Sequence, residues 1–124
     1  MIKIGNDKIV FFDVDDTLVM WGSPPLDYEG QIVRLNCHGW QDNYAIYDSN
    51  ILAMKEHKKR GHTVIVWTQG GVDWAEAVVK GLGLEEYVDA VMSKPSWVYD
   101  DLPTSAWMPQ SKFGFKHAIE ELKS

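Results

Sequence analysis

Cysteine is almost missing from this sequence: Cys37 stands alone among 124 residues, which excludes a disulfide framework within the chain. The dipeptide "CH" lacks the repeated spacing of a zinc site, so Cys37 reads as a small filler side chain in a reducing compartment. No uninterrupted apolar run reaches the roughly eighteen residues of a membrane span. The start, "MIKIGNDK", has neither the apolar stretch nor the small-residue cleavage site of a secretory signal. These absences predict a cytoplasmic protein with no membrane partner. An excess of positive charge is missing too. At a net charge of -6 the chain offers no overall footprint for a polyanion, and "KEHKKR", the one basic run, reads as the solvated face of a helix.

What is present is enough apolar material for one core. With 45% hydrophobic and 24% charged residues, the chain is expected to form one domain over 1–124. Four short runs rich in β-branched and aromatic residues read as buried strands: "IVFF" from Ile9, "VIVW" from Val64, "VDAVM" from Val88 and "WVY" from Trp97. Between the first two lies "SNILAMKEHKKRG", a helix with Ser49 or Asn50 at its N-cap, basic residues in its last turn and Gly61 at its stop. Between the second and third lies "DWAEAVVKGLG", a helix with Asp73 and Glu76 spaced as a capping box and Trp74, Val78 and Leu82 on one face. A last helix, "FKHAIEELK", places Phe115, Ile119 and Leu122 on one side. Alternation of this kind predicts an α/β fold with a mostly parallel sheet covered by helices, because parallel neighbours need a crossover between them. Residues 19–47 break the alternation. With "GSPP" as a turn and strand-like "QIVRLN" and "NYAIY" around Gly39, they read as a β-hairpin flap inserted after the first strand.

The residues that follow the strands carry the chemistry. Asp13 follows "IVFF", Thr68 follows "VIVW", Lys94 follows "VDAVM" and Asp100-Asp101 follow "WVY". In an open parallel sheet the carboxyl ends of the strands share one edge, and that edge is where such folds place a ligand crevice. Any one of these residues alone is more often turn punctuation than chemistry. Carboxylates, a hydroxyl and an ammonium delivered by four strand ends make a stronger signal than any single member.

The segments "DVDDTL", "VIVWTQG", "SKP" and "VYDD" resemble, in that order, the motifs of the haloacid dehalogenase superfamily of phosphotransferases, over about Ile9 to Asp101. The resemblance implies a Rossmann-like, three-layer core, dependence on Mg²⁺ and, because Asp15 fills the second acidic position of the first motif, phosphatase chemistry. A carboxylate nucleophile needs a cation to approach a negatively charged phosphate ester. In this reading Asp13 attacks phosphorus to form an aspartyl-phosphate. Asp15 protonates the leaving oxygen and then activates water, and by resemblance its backbone carbonyl binds the metal. Thr68 donates to a phosphoryl oxygen and Lys94 balances its charge. Asp13 and Asp101 are the direct Mg²⁺ ligands, with Asp100 binding through water or orienting Lys94, and the order of that pair can be reversed. Asp16 points away or caps the turn, and Thr17 fixes the loop.

The chain departs from the pattern in two places. Only "PSWVY" separates Lys94 from Asp100, too short for a helical crossover, so the fourth strand must be very short or the third must end early. Neither interval after the first two motifs is long enough for a cap domain, so only the flap stands beside the site. An open site suits a bulky substrate, or a small one enclosed by a second subunit of a homo-oligomer. Trp21, Trp40 and Tyr44 are candidates for the missing wall, with Trp40 and Tyr44 divided evenly between that role and hairpin core, while Trp67 and Trp74 read as core. The leading expectation is a Mg²⁺-dependent phosphomonoester hydrolase for a small nucleotide or sugar phosphate. A phosphatase of nucleic-acid 3′ ends, discouraged by the acidic charge, and a non-catalytic accessory module on the same fold are the alternatives.

Overall fold

The structure, a computed structural model, describes residues 1–5 and 8–108. Strand β1 (Ile9–Phe12) pairs in parallel with β4 (Thr63–Thr68), which pairs in parallel with β5 (Ala90–Ser93), giving a three-stranded sheet in the order β1-β4-β5. Strands β2 (Ile32–Cys37) and β3 (Trp40–Ala45) form a separate antiparallel pair. Helix α1 (Asp48–Lys59) connects the hairpin to β4, and α2 (Val72–Gly81) connects β4 to β5. The fold is thus mixed α/β with a small parallel sheet. No helix among the described residues is long and apolar enough to cross a membrane.

The register explains the core. Val10 lies opposite Val64 and Phe12 opposite Val66, and the two-residue period of a strand sends these four to one face. There they meet Ala53 and Met54 of α1 and Ala75, Val78 and Val79 of α2. Helix α1 stops where Gly61 supplies a φ of 82°, a conformation that costs a residue without Cβ nothing.

The expected insertion is a hairpin, though it is not detached from the core. His38 and Gly39, both at positive φ, make the two-residue turn whose twist suits a hairpin. Leu35 occupies the space where a Cβ on Gly81 would stand, which seats β2 on α2. The far end of β3 is tied back to the loop after β1, where Met20 N–H donates to Ala45 C=O at 2.9 Å and Tyr47 N–H to Leu18 C=O at 3.0 Å.

Three expectations need correction. Residues 97–99 form no strand and are exposed, because too few residues separate them from Ser93 for a parallel crossover. Neither Ser49 nor Asn50 caps α1: the helix begins at Asp48, and Asn50 instead donates its side-chain amide to Thr17 C=O at 2.9 Å. Asp73 does not cap α2, which starts after Gly71. It lies in the first turn and meets His38 Nε2 at 2.9 Å. The helix expected at 115–123 lies outside the described residues.

Candidate functional site

The loop after β1 is pinned from both sides. Val14 and Leu18 are wholly buried, and Leu18 N–H donates to Val14 C=O at 2.8 Å. This tight turn leaves the acids between them at the surface of the core. Asp13 Oδ1 accepts Val14 N–H at 2.9 Å. Asp16, at a φ of 60°, accepts Trp21 N–H at 2.9 Å and so holds the turn, as its position suggested.

The other strand ends arrive beside it. Pairing of β4 with β5 ends at Thr68 opposite Ser93, and the next residue donates its N–H to Thr68 C=O at 2.9 Å. That residue is Lys94, whose Nζ lies 3.4 Å from Asp13 Oδ1. Thr68 itself is 1% exposed, and its Oγ1 accepts Gly70 N–H at 2.9 Å, which shapes the turn into α2. The structure therefore joins Asp13 and Lys94 directly, with Thr68 linked to Lys94 through the backbone.

Asp15 has a partner that sequence reasoning assigned to packing alone. Trp74 Nε1–H donates to Asp15 Oδ1 at 2.9 Å, and the Trp74 ring rests against Tyr44 at 5.4 Å between centroids. Burial raises the Asp15 pKa above its ordinary value, opposed by the indole hydrogen bond and reinforced by the charges of Asp13 and Asp16. Tyr44 is 7% exposed and belongs to the core, whereas Trp40 and Trp21 are 65% and 67% exposed. Of the aromatic wall candidates, Tyr44 is thus a core residue packed against Trp74. A helix tryptophan at a packing position carries no sequence mark of a polar duty at its indole nitrogen.

Asp100 and Asp101 are exposed. Asp100 Oδ1 accepts Leu102 N–H at 3.0 Å, and this bond, with help from Asp101 and Trp107, lowers its pKa. Among the described residues no group of three or more His, Cys, Asp or Glu is arranged to hold a metal ion. The oxygen donors of Asp13 and Asp15 suit Mg²⁺ chemically, and Asp100 and Asp101 lie on the exposed segment after β5. A groove of about 670 Å³ between the hairpin and the helices, lined by Ile32, Ile51, Leu52 and Leu82, shares no residue with this site.

In comparisons with known proteins, no family model and no curated protein matches the chain. The likeness to the haloacid dehalogenase superfamily rests on the motifs quoted above.

Proposed function

We propose that the chain is a phosphomonoester hydrolase of the haloacid dehalogenase type, acting in the cytoplasm on a small nucleotide or sugar phosphate, with a Rossmann-like three-layer core. The observation that carries this reading is the Lys94 ammonium 3.4 Å from the Asp13 carboxylate at the carboxyl edge of a parallel sheet. A cation beside a nucleophilic carboxylate offsets the repulsion between that carboxylate and a phosphoryl oxygen. Asp13 attacks phosphorus, forming the acyl phosphate as the ester P–O bond breaks. Protonated Asp15 gives its proton to the leaving oxygen. Asp15 then takes a proton from water, whose oxygen attacks phosphorus, releasing phosphate and restoring Asp13. The raised pKa of Asp15 favours its protonated form for the first step.

Mg²⁺ belongs to this reading as cofactor, with Asp13, the Asp15 carbonyl and one of Asp100 and Asp101 as donors, and it would supply neutralising charge at the phosphate. The test is phosphate release from a panel of small phosphorylated compounds and 3′-phosphorylated oligonucleotides, with Mg²⁺ or with chelator, for the native chain and for Asp13→Asn and Asp16→Asn. Turnover of small esters that needs Mg²⁺, vanishes in Asp13→Asn and survives in Asp16→Asn is expected. Preference for oligonucleotide ends would move the substrate class to nucleic acid. No release from any member would leave the non-catalytic module.

A further inference from the structure

The three carboxylates of the loop after β1 are held in different ways. Asp13 Oδ1 accepts Val14 N–H and Asp16 Oδ1 accepts Trp21 N–H, both from backbone close in sequence. Asp15 alone is held by a side chain of another element, the indole of Trp74 in the first turn of α2, 59 residues further on. That indole is itself fixed. It packs against the core with the Tyr44 ring beside it, and it borders the turn after β4, where a Cβ on Gly70 would come within 3.6 Å of its Cδ1. The two oxygens of Asp15 are therefore unequal. Oδ1 accepts Nε1–H at 2.9 Å, whereas Oδ2 has no hydrogen-bond partner among the described residues. No unpartnered side-chain oxygen of these residues is buried, so Oδ2 reaches solvent.

We propose that Trp74 is a positioning residue for the proton transfer, fixing Asp15 so that its proton is carried and delivered at Oδ2. The inference rests on the phosphatase reading of Asp13 and Asp15. An indole N–H only donates, so it engages the acid through a lone pair of Oδ1 and leaves the proton to the other oxygen. In the first step the Oδ2–H bond breaks, the proton passes to the ester oxygen, and that oxygen keeps the electron pair of the broken P–O bond. In the second, Oδ2 takes a proton from water while Oδ1 keeps the same donor. Trp74 gives up no proton in either step. Its bond holds one orientation of the acid, and a misplacement of about 1 Å can cost about 10²-fold in rate. Nucleotides and sugar phosphates both leave as alkoxides, which depart poorly without a proton. A tryptophan that merely satisfied its own N–H would serve packing alone, and the leaving group tells the two roles apart.

The test compares Trp74→Phe with the native full-length chain, both with Mg²⁺, on the best alkyl ester of the panel and on dinitrophenyl phosphate, whose phenolate departs without a proton. The kcat/KM value covers the steps up to departure of the leaving group. In Trp74→Phe it is expected to fall about 10-fold or more for the alkyl ester and by less than about 3-fold for the aryl ester. The ratio of the two values from one preparation cancels the folded fraction, so a loss of stability does not move it. An equal fall for both esters, or none for either, overturns the positioning role and leaves the phosphatase reading standing on the native chain's turnover. A native chain that hydrolyses neither ester overturns both. Should Trp74→Phe fail to fold, the benzothiophene analogue of tryptophan at residue 74, which keeps the ring shape and lacks only the N–H, takes its place with the same expected and overturning results.

Discussion

The Asp15 carboxyl is half withdrawn from water, and burial raises its pKa ahead of repulsion from Asp13 and Asp16. A carboxyl raised in this way favours the fold below its unfolded value near 3.8, and that contribution is lost as pH rises through the folded value. At neutral pH its ionised form therefore weighs against the fold. Asp15→Asn, similar in shape and without charge, is expected to melt no lower than the native chain while losing about 10²-fold or more in kcat. Melting midpoint and kcat measured on the same preparations check this, and a less stable variant with full activity would make Asp15 a fold residue instead. The acid was legible because it follows an apolar strand in company with Asp13. Its donor was not, because Trp74 serves packing and hydrogen bonding with one ring, and only the three-dimensional arrangement reveals the second use.

The hairpin divides its two questioned aromatics. Tyr44 is 7% exposed and lies against Trp74, while Trp40 is 65% exposed. Truncating Tyr44 to Ala is expected to cost about 3 kcal/mol or more, as for other buried aromatics. Trp40→Ala should fall within about 0.5 kcal/mol of the native chain. Urea denaturation of both variants measures the contrast, and equal losses would mean that Trp40 too is packed. Alternation of apolar runs with helical spacing made β1, β4, β5, α1 and α2 readable, since each buries a face with its own period. The helix starts were harder, because Ser, Asn and Asp suit caps and tertiary hydrogen bonds equally well: Asn50 holds the loop at Thr17, and Asp73 holds the hairpin at His38. "WVY" looked like a strand by composition, but it lacks the chain length to reach a parallel partner. The acidic pair after it is therefore carried by an exposed segment and not by a strand end.

Stability of the whole molecule should depend on the imidazole pair between α1 and β4. His57 Nδ1 and His62 Nδ1 lie 2.9 Å apart, with His57 edge-on to Phe12. Burial lowers the His57 pKa below 6.5, followed by repulsion from His62, Arg60 and Lys8, while Glu56 pulls the other way. Because the folded value is the lower one, the contribution is complete above about pH 6.5 and is lost as pH falls through the folded value. The urea midpoint is expected to drop as pH falls below about 6.5, and His57→Gln should flatten that drop. A native profile level over this window would remove the pair from the account. The nesting of the hairpin inside the connection from β1 to β4 also bears on how the chain reaches this structure. Cys37 and Trp40 face each other across a two-residue turn and can meet within microseconds, whereas Ile9 must find Thr63 across the hairpin and α1 together. Closing that longer loop carries the larger entropy cost. The hairpin is therefore expected to form early and the parallel pairings late, so that Asp13 gains its cation only after β5 has docked. A chain still emerging from synthesis would carry Asp13 for most of its length without the residue that balances its charge, and the pair would be completed in a single late step.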